Sequence, residues 1–449
     1  MKTLEKFPYQ HVLVLGLAKS GEAAATLLHE SGIQVRVNDQ KPYEDNPQAK
    51  TLTQKGIEVV TGGHPLSVLE GIDYLVKNPG IPYTNPIVQE AEERGLPIVT
   101  EVELAYRLAE GPIIGITGSN GKTTTTTLTY EMLQESKRPV KLAGNIGKVS
   151  CEVAQSTTDK DTLVIELSSF QLIGTETFKP HIAVFLNLYE AHLDYHKTME
   201  HYGYSKAQVF MNQDEGDYVI YNADHEDVTN YVKQAKSQPI PFSTTSYQPE
   251  GVWKDDEWLY LKQEKIVRLE DIMLVGAHNM ENIMASVAAA KLSGATNDGI
   301  TSVLKTFSGV KHRMQFVKEL QGRTFFNDSK ATNLLATSKA LSAFDTPTIL
   351  LAGGLDRGNE FDDLAPYLKN VRAMILFGET APKLQELAQN NGIEQSIIVD
   401  NVKQAAEEAY RISNKGDVIL LSPACASWDQ YRTFEERGDM FMEAVHTLE

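Results

Sequence analysis

The sequence predicts an α/β protein of about three domains with mainly parallel sheets. Three observations predict it. The 449 residues are about three times an ordinary domain of ~150. Short apolar, β-branched runs alternate with helical stretches along the chain, the pattern of parallel strands covered on both faces. Two glycine turns, "VLVLGLAKSG" and "GITGSNGKTT", each join an apolar strand to a helix.

In chain order, "HVLVLGL", "IQVRVND", "GIEVVTG", "DYLVKNPG" and "LPIVTE" are the strands of a first domain. It closes near residue 110, where "ELAYRLAEGPIIG" ends a helix at Gly111-Pro112 and starts a new strand. "PIIGITG", "TLVIELSS" and "HIAVFLNL" continue a central domain over 111–309. Its segment "YQPEGVWKDDEWLYLKQEKIVRLEDIML" alternates like a small β-meander. A Ser-Gly turn near residue 309 opens a third domain, 310–449, with strands in "TFFNDSK", "TPTILLAGG", "AMILFGE", "SIIVDN" and "DVILLSPA".

Hydrophobic residues make up 41% and charged residues 23%, the mix of a soluble globular protein. The net charge of -18 argues against general affinity for nucleic acid or anionic membranes. Anionic ligands must therefore be held by backbone amides, single Lys or Arg residues, or magnesium. Cys151 and Cys425 have no metal-type spacing and read as free thiols of a reducing compartment. The first apolar run is too short for a membrane span and ends in a glycine turn rather than a cleavage site, so a cytoplasmic protein is expected.

In "TGSNGKTT", Gly118 and Gly121 let the backbone of Ser119 and Asn120 turn amides toward an anion, and the following helix adds its positive end. Lys122 would reach the outer phosphates, and the Thr123 hydroxyl would ligate magnesium, with Thr124 beside it. The full GxxxxGK[ST] motif would need glycine at Ile116, so the match is to a shortened form. Glu166, at the carboxyl end of "TLVIE", lies where ligands collect in such sheets. His192 and Asp194 follow another strand end, a position that favours a metal role for His192 over a structural one. "NKGD" at 414–417 resembles a guanine-specificity motif but precedes a strand, whereas base-reading loops follow strands; ATP is preferred.

The first turn runs strand, glycine turn, helix, strand and terminal acid, Asp39, which resembles a Rossmann unit. Ala18 replaces the middle glycine of GxGxxG, so a nucleotide diphosphate of another type is favoured over a nicotinamide, with Lys19 or Lys41 available for charge.

Several separated stretches converge on one resemblance: "TGSNGKTTT", "GNIG", "IELSSFQL", "NLYEAHLDYH", "GAHNMENIMAS", "KHRMQFV", "FFNDSKATN", "LAGGLDRG" and "LSPACASWDQYRTFEERG". Together they resemble the Mur ligase family of peptidoglycan synthesis over nearly the whole chain. The phosphate loop and the "HNMEN" stretch belong to the wider family, whereas "NDSKATN" and "SPACASWDQYRTFEERG" point to its D-glutamate-adding branch. The resemblance implies a Rossmann-like N-terminal domain for UDP, a central P-loop ATPase domain with its small β appendage, and a Rossmann-like C-terminal domain for the amino acid. The implied reaction consumes ATP, UDP-N-acetylmuramoyl-L-alanine and D-glutamate through an acyl phosphate, in a monomer with no nucleic-acid or membrane partner.

It further implies that Thr123 and Glu166 hold one of two magnesium ions and that His192 helps to hold the second. Lys206 is either a solvated helix lysine or, by resemblance, a lysine carbamylated by carbon dioxide that ligates magnesium. Asn145 would touch the muramoyl-peptide side. Asn279 and Asn282 would serve adenine, helix capping being the alternative for Asn279. Arg313 and Asp328 would reach ATP, and Lys330 and Thr332 the reacting groups. Ser427 and the backbone around Phe434 would bind D-glutamate, with Arg357 countering its side chain where some relatives carry lysine. Ser20, Asp39, Gln40, Lys41 and Gly80 would contact the UDP end. Domain closure on ligands is expected. The competing readings are another amino acid, a degenerate nucleotide sensor and a dehydrogenase.

Overall fold

The computed structural model describes residues 2–274 and 276–448. Among them the chain forms three sheets in two compact units, one ending at Phe307 and the other beginning at Ser308. The first unit holds two sheets and the second holds one.

The first sheet has the order Glu58–Thr61, Gln34–Asp39, His11–Leu15, Tyr74–Lys77, Ile98–Val99, all parallel. Its central strand is buried on both faces from Val12 to Leu15, which accounts for the unbroken apolar run "VLVL". The chain winds outward in opposite directions from the pair His11–Leu15 and Tyr74–Lys77, so the loops leaving these two strands diverge. Such a switch point leaves a crevice at the carboxyl ends of the strands, where ligands bind.

The second sheet runs Glu264–Arg268, Trp258–Leu261, Val252–Lys254, Gln238–Phe242, Tyr218–Asn222, Ile182–Phe185, Ile113–Thr117, Thr162–Glu166, Val140–Gly144. Pairing is parallel from Val140–Gly144 to Gln238–Phe242. The meander then adds antiparallel strands at the far edge, as the alternating segment predicts. Register sets the site: Ile116 lies beside Glu166 on one side, and Thr117 beside Phe185 on the other. Three loops therefore leave adjacent strand ends together.

In the second unit the order is Gln315–Leu320, Arg323–Asn327, Val418–Leu421, Thr348–Gly353, Val371–Phe377, Gln395–Ile398, parallel except for the first pair. Asn327 and Leu351 both align with Leu421, so "NDSK", "GGLDR" and "SPACAS" emerge from neighbouring strand ends. Both cysteines are buried and free. The "NKGD" stretch is a turn: Asp417 accepts the Asn414 amide at 2.8 Å and pairs with Arg372 at 2.7 Å. Among the described residues, no helix is long and apolar enough to cross a membrane.

Candidate active site

The loop after Ile113–Thr117 turns into the helix Lys122–Glu135 at Gly121, whose φ of 81° is the left-handed conformation glycine adopts without strain. A Cβ there would overlap Asn282 Oδ1, so the buried Asn282 packs directly against the loop. Its Oδ1 also lies 3.4 Å from the Thr125 hydroxyl, and its amide donates to Asn279 Oδ1 at 3.4 Å. Asn279 is the third residue of the helix Ala277–Leu292, whose N-cap is Gly276, so the capping alternative for Asn279 falls away.

Asn187 braces the other side of the loop. Its Oδ1 accepts the Asn120 amide at 2.8 Å, and its carbonyl accepts the Ser119 amide at 3.0 Å. The Ser119 hydroxyl donates to Tyr189 O at 3.0 Å and accepts the Tyr189 amide at 2.9 Å. A loop fixed at this many points is preorganised to receive an anion at the helix N-terminus.

Two lysines converge on this loop. Lys122 Nζ donates to the carbonyls of Gly118 at 2.8 Å and Ser119 at 2.9 Å, and Lys206 Nζ donates to Gly118 at 2.8 Å. Lys206, on the helix Met199–Met211, is 1% exposed, which excludes the solvated reading. Burial, with the Lys122 charge adding to it, holds its amine well below the ordinary lysine range.

Glu166 is equally buried. Its Oε1 accepts the Asn145 amide at 3.1 Å, while Oε2 has no hydrogen-bond partner. An orphaned buried carboxylate oxygen is costly unless a cation supplies the missing partner. Among the described residues, no group of three or more His, Cys, Asp or Glu side chains is gathered to hold a metal unaided. A cation here would be shared by Glu166, the Thr123 hydroxyl and phosphate oxygens, a set of hard ligands that suits magnesium. The residues present fit that ion.

His192 has a left-handed φ of 58° at the start of the short helix Leu193–His196. Its ring lies 5.0 Å from Phe170 and 6.2 Å from Tyr202. A non-glycine residue in this region marks a conformation imposed by its surroundings. The neighbouring His196 is buried against Ser169 Oγ at 2.9 Å, and burial takes its imidazole down to about 4.

At the switch point of the first sheet, Gly16 has a φ of 91°, and a Cβ there would come within 2.7 Å of Ile81. Asp39 braces this turn: one oxygen accepts the Leu17 amide at 2.6 Å and the other the Lys41 amide at 2.8 Å. The acid read as a ribose ligand thus holds the turn closed through both oxygens. Ser20 accepts from Asn78 at 2.9 Å, and Asn78 Oδ1 accepts the Gly80 amide at 3.1 Å, so Asn78 bridges Ser20 and Gly80. Gln40 adjoins them as the residue between Asp39 and Lys41.

In the second unit, Asp328 accepts from Ser422 Oγ at 2.9 Å and from the Met314 amide at 3.1 Å, beside Arg313. Burial pushes its carboxyl up to about 7. Lys330 lies 5.9 Å over the Phe434 ring, and the Thr332 amide donates to Lys330 O at 2.9 Å. Ser427 is buried, and its hydroxyl has no hydrogen-bond partner. The Arg357 guanidinium lies over the exposed Trp428 ring, 4.9 Å from its centre.

Three residues escaped the sequence reading. Asn187 lies in "FLNLYE", where a polar residue right after an apolar strand was the available signal. Lys77 ends a strand with no acidic partner among the described residues. Arg437, fully buried, bonds Ser329, Gly353 O and Cys425 O, tying together the three loops of the third sheet; nothing in "FEERG" announces it.

Family models match consecutive parts of the chain: the Mur ligase MurD-like N-terminal domain over 10–100, the Mur ligase middle domain over 116–290 and the Mur ligase glutamate ligase domain over 312–425. The chain is 58% identical, over all 449 residues and the full length of each relative, to proteins named UDP-N-acetylmuramoylalanine--D-glutamate ligase from Bacillus thuringiensis (strain Al Hakam) and Bacillus anthracis (strain A0248). Among solved structures, it resembles MurF ligase from Thermotoga maritima in complex with ADP: TM-score 0.55, 18% identity, covering 99% of this chain and 97% of that one. It also resembles UDP-N-acetylmuramate-alanine ligase MurC from the same organism: TM-score 0.53, 16% identity, covering 98% and 100%. With loop, sheet order and full-length kinship in agreement, the chain belongs to the Mur ligase family.

Proposed function

We propose that the protein is an ATP-dependent ligase that joins D-glutamate to the carboxylate of UDP-N-acetylmuramoyl-L-alanine, releasing ADP and phosphate, as a cytoplasmic monomer in peptidoglycan precursor synthesis. The observation that carries the reading is the unpartnered Glu166 oxygen at the strand beside a glycine loop on which Lys122 and Lys206 converge. The relatives' printed names support the choice of substrates.

A free carboxylate resists amines because oxide would have to leave. Transfer of the γ-phosphoryl group onto it gives an acyl phosphate; the amine then adds, and phosphate departs as the amide forms. Lys122 neutralises charge on the transferred group. Thr123 and Glu166 would hold one magnesium ion and His192 and a carbamylated Lys206 would help to hold a second, and these ions would supply the charge that lets ATP approach the anionic acceptor. Lys206, whose burial favours the neutral amine, is fit to attack carbon dioxide: a C–N bond forms, a proton leaves the nitrogen, and the carbamate presents oxygens where an ammonium had none to offer. Asn145 fixes the Glu166 carboxylate. Asn279 and Asn282 serve the adenine side, Asn282 while also supporting the loop.

The UDP end occupies the first-sheet crevice over Ser20, Asp39, Gln40, Lys41 and Gly80, in a domain of residues 1–110; the ATPase domain spans 111–309. Within 310–449, Arg313 and Asp328 serve ATP. Ser427, the backbone near Phe434, and Arg357 anchor the two carboxylates of D-glutamate, with Lys330 and Thr332 near the reacting groups.

The test supplies ATP, magnesium and UDP-N-acetylmuramoyl-L-alanine together with one amino acid at a time and follows phosphate. D-glutamate alone should stimulate release. Stimulation by another amino acid reassigns the substrate, and silence with all of them rejects the ligase.

A further inference from the structure

Lys77 is a buried cation that the mechanism above does not use. It ends the strand Tyr74–Lys77 at the switch point, is 1% exposed, and has no acidic partner among the described residues. Its ammonium is held by oxygen dipoles: Ile81 O at 3.0 Å, the Tyr195 hydroxyl at 3.2 Å and Pro79 O at 3.4 Å, with the Tyr83 ring face 4.8 Å away. Burial brings its ammonium down to about 7. Isolated buried charge is expensive, and an apolar side chain of similar volume would cost less.

The bonds of this group lead in two directions. Toward the first sheet, they hold the loop 78–81, which Asn78 links to Ser20 and which packs on Gly16. Toward the second, Tyr195 lies three residues beyond His192. Its ring meets Phe170 at 4.7 Å, and Phe170 meets His192 at 5.0 Å. The Tyr195 hydroxyl also lies 3.2 Å from Ile81 O, so the contact is cross-braced. A cavity of about 900 Å³ lies alongside, lined by Tyr83, Tyr195 and His201 but not by Lys77, so the ammonium serves the loop and not a cavity ligand.

We propose that Lys77 and Tyr195 are positioning residues that clasp the nucleotide-diphosphate loop 78–81 to the His192 segment and so fix the distance between the two ends of one substrate. The proposal rests on the ligase reading. One end of that substrate is its diphosphate and the other its accepting carboxylate. With the clasp closed, binding the nucleotide delivers the carboxylate to the reacting position. With it open, nucleotide binding no longer aligns the far end.

The experiment compares kcat/KM for the full nucleotide-sugar acceptor with that for the same sugar-peptide lacking the nucleotide, in the unmodified enzyme, Lys77→Met and Tyr195→Phe. An inhibition constant replaces kcat/KM if the truncated acceptor turns over too slowly to read. The expected result is that the nucleotide's advantage shrinks roughly tenfold or more in both variants, the loss falling on the full acceptor. A proportional loss on both acceptors, as a merely structural role would give, overturns the proposal, and so does an unchanged advantage. Tyr195→Phe removes one oxygen from a ring that keeps its Phe170 contact, and it decides the matter if Lys77→Met does not fold. An unmodified enzyme that consumes no ATP removes the ligase reading and the clasp together; an active one with an unchanged ratio removes the clasp alone.

Discussion

The two glycine turns of the first unit are alike in local sequence design and opposite in electrostatics. Each follows a buried parallel strand, opens a helix, and has a buried lysine without an acidic partner close by: Lys77 near the first, Lys206 at the second. At the first turn the acid, Asp39, spends both oxygens on backbone amides and closes the turn on itself. At the second, Glu166 leaves one oxygen unpartnered and two lysines converge on the Gly118 carbonyl. A turn whose charges are already satisfied can bind and orient; a turn that keeps an unsatisfied carboxylate has a place for a cation and can stabilise charge as it moves. On the proposed reading, the same motif shape separates into a holding site and a reacting site according to where the nearest carboxylate points.

The largest effects are expected at the reacting turn. Lys122→Ala and Lys206→Ala should each lower kcat by roughly a thousandfold or more, read as D-glutamate-dependent phosphate release. Removing carbon dioxide from the buffer should depress the unmodified enzyme but leave Lys206→Ala at its residual level. A Lys206→Ala enzyme with full activity would erase the contrast between the turns. Next comes loop geometry. Gly121→Ala places a methyl group on Asn282 Oδ1 and forces alanine to a φ near 81°, so kcat/KM for ATP should fall about a hundredfold. Adding Asn282→Ala should recover only part of this, because the overlap is relieved and the backbone strain is not.

At the holding turn the signature should change from kcat to KM. Asp39→Ala frees the Leu17 and Lys41 amides, and KM for the nucleotide-sugar should rise about tenfold while kcat at saturation holds. Equal losses in kcat at Asp39 and at Lys122 would mean that the two turns do not divide the work.

The fold was legible because apolar strand runs and glycine turns are local signals: "VLVL" and "IIGIT" are buried strands, and the alternating segment after residue 247 is the antiparallel edge. The place of Glu166 at the end of its strand was legible from the apolar run before it. Asn187, Asn282 and Lys77 were harder for a common reason. Their roles lie in which neighbour they face, and that depends on strand order and on residues more than sixty positions away. Asp39 shows the converse. Its position matched a ribose-binding acid, and the structure adds that its two oxygens accept the Leu17 and Lys41 amides, bonds that a motif does not encode.

A last prediction isolates the buried Lys77 by pH. Lys77 titrates near 7 in the folded chain and at its ordinary value of 10.5 when unfolded. Between those values the unfolded state binds more protons, so stability rises with pH across that window and is flat with respect to this group below it. The penalty for burying the ammonium is therefore complete below about pH 7 and fades as pH climbs toward 10.5. Lys77→Met carries no such penalty at any pH. Thermal unfolding of the unmodified protein and of Lys77→Met, followed from pH 6.5 to 9.5, should show the unmodified protein gaining on the variant as pH rises. Lys206, held well below the ordinary lysine range by burial and by Lys122, contributes a slope of the same sign in both proteins and so cancels from the comparison. Parallel curves for the two proteins would mean that Lys77 keeps its proton throughout, and that carbonyl dipoles and the Tyr83 face can replace water for an ammonium more fully than burial alone predicts.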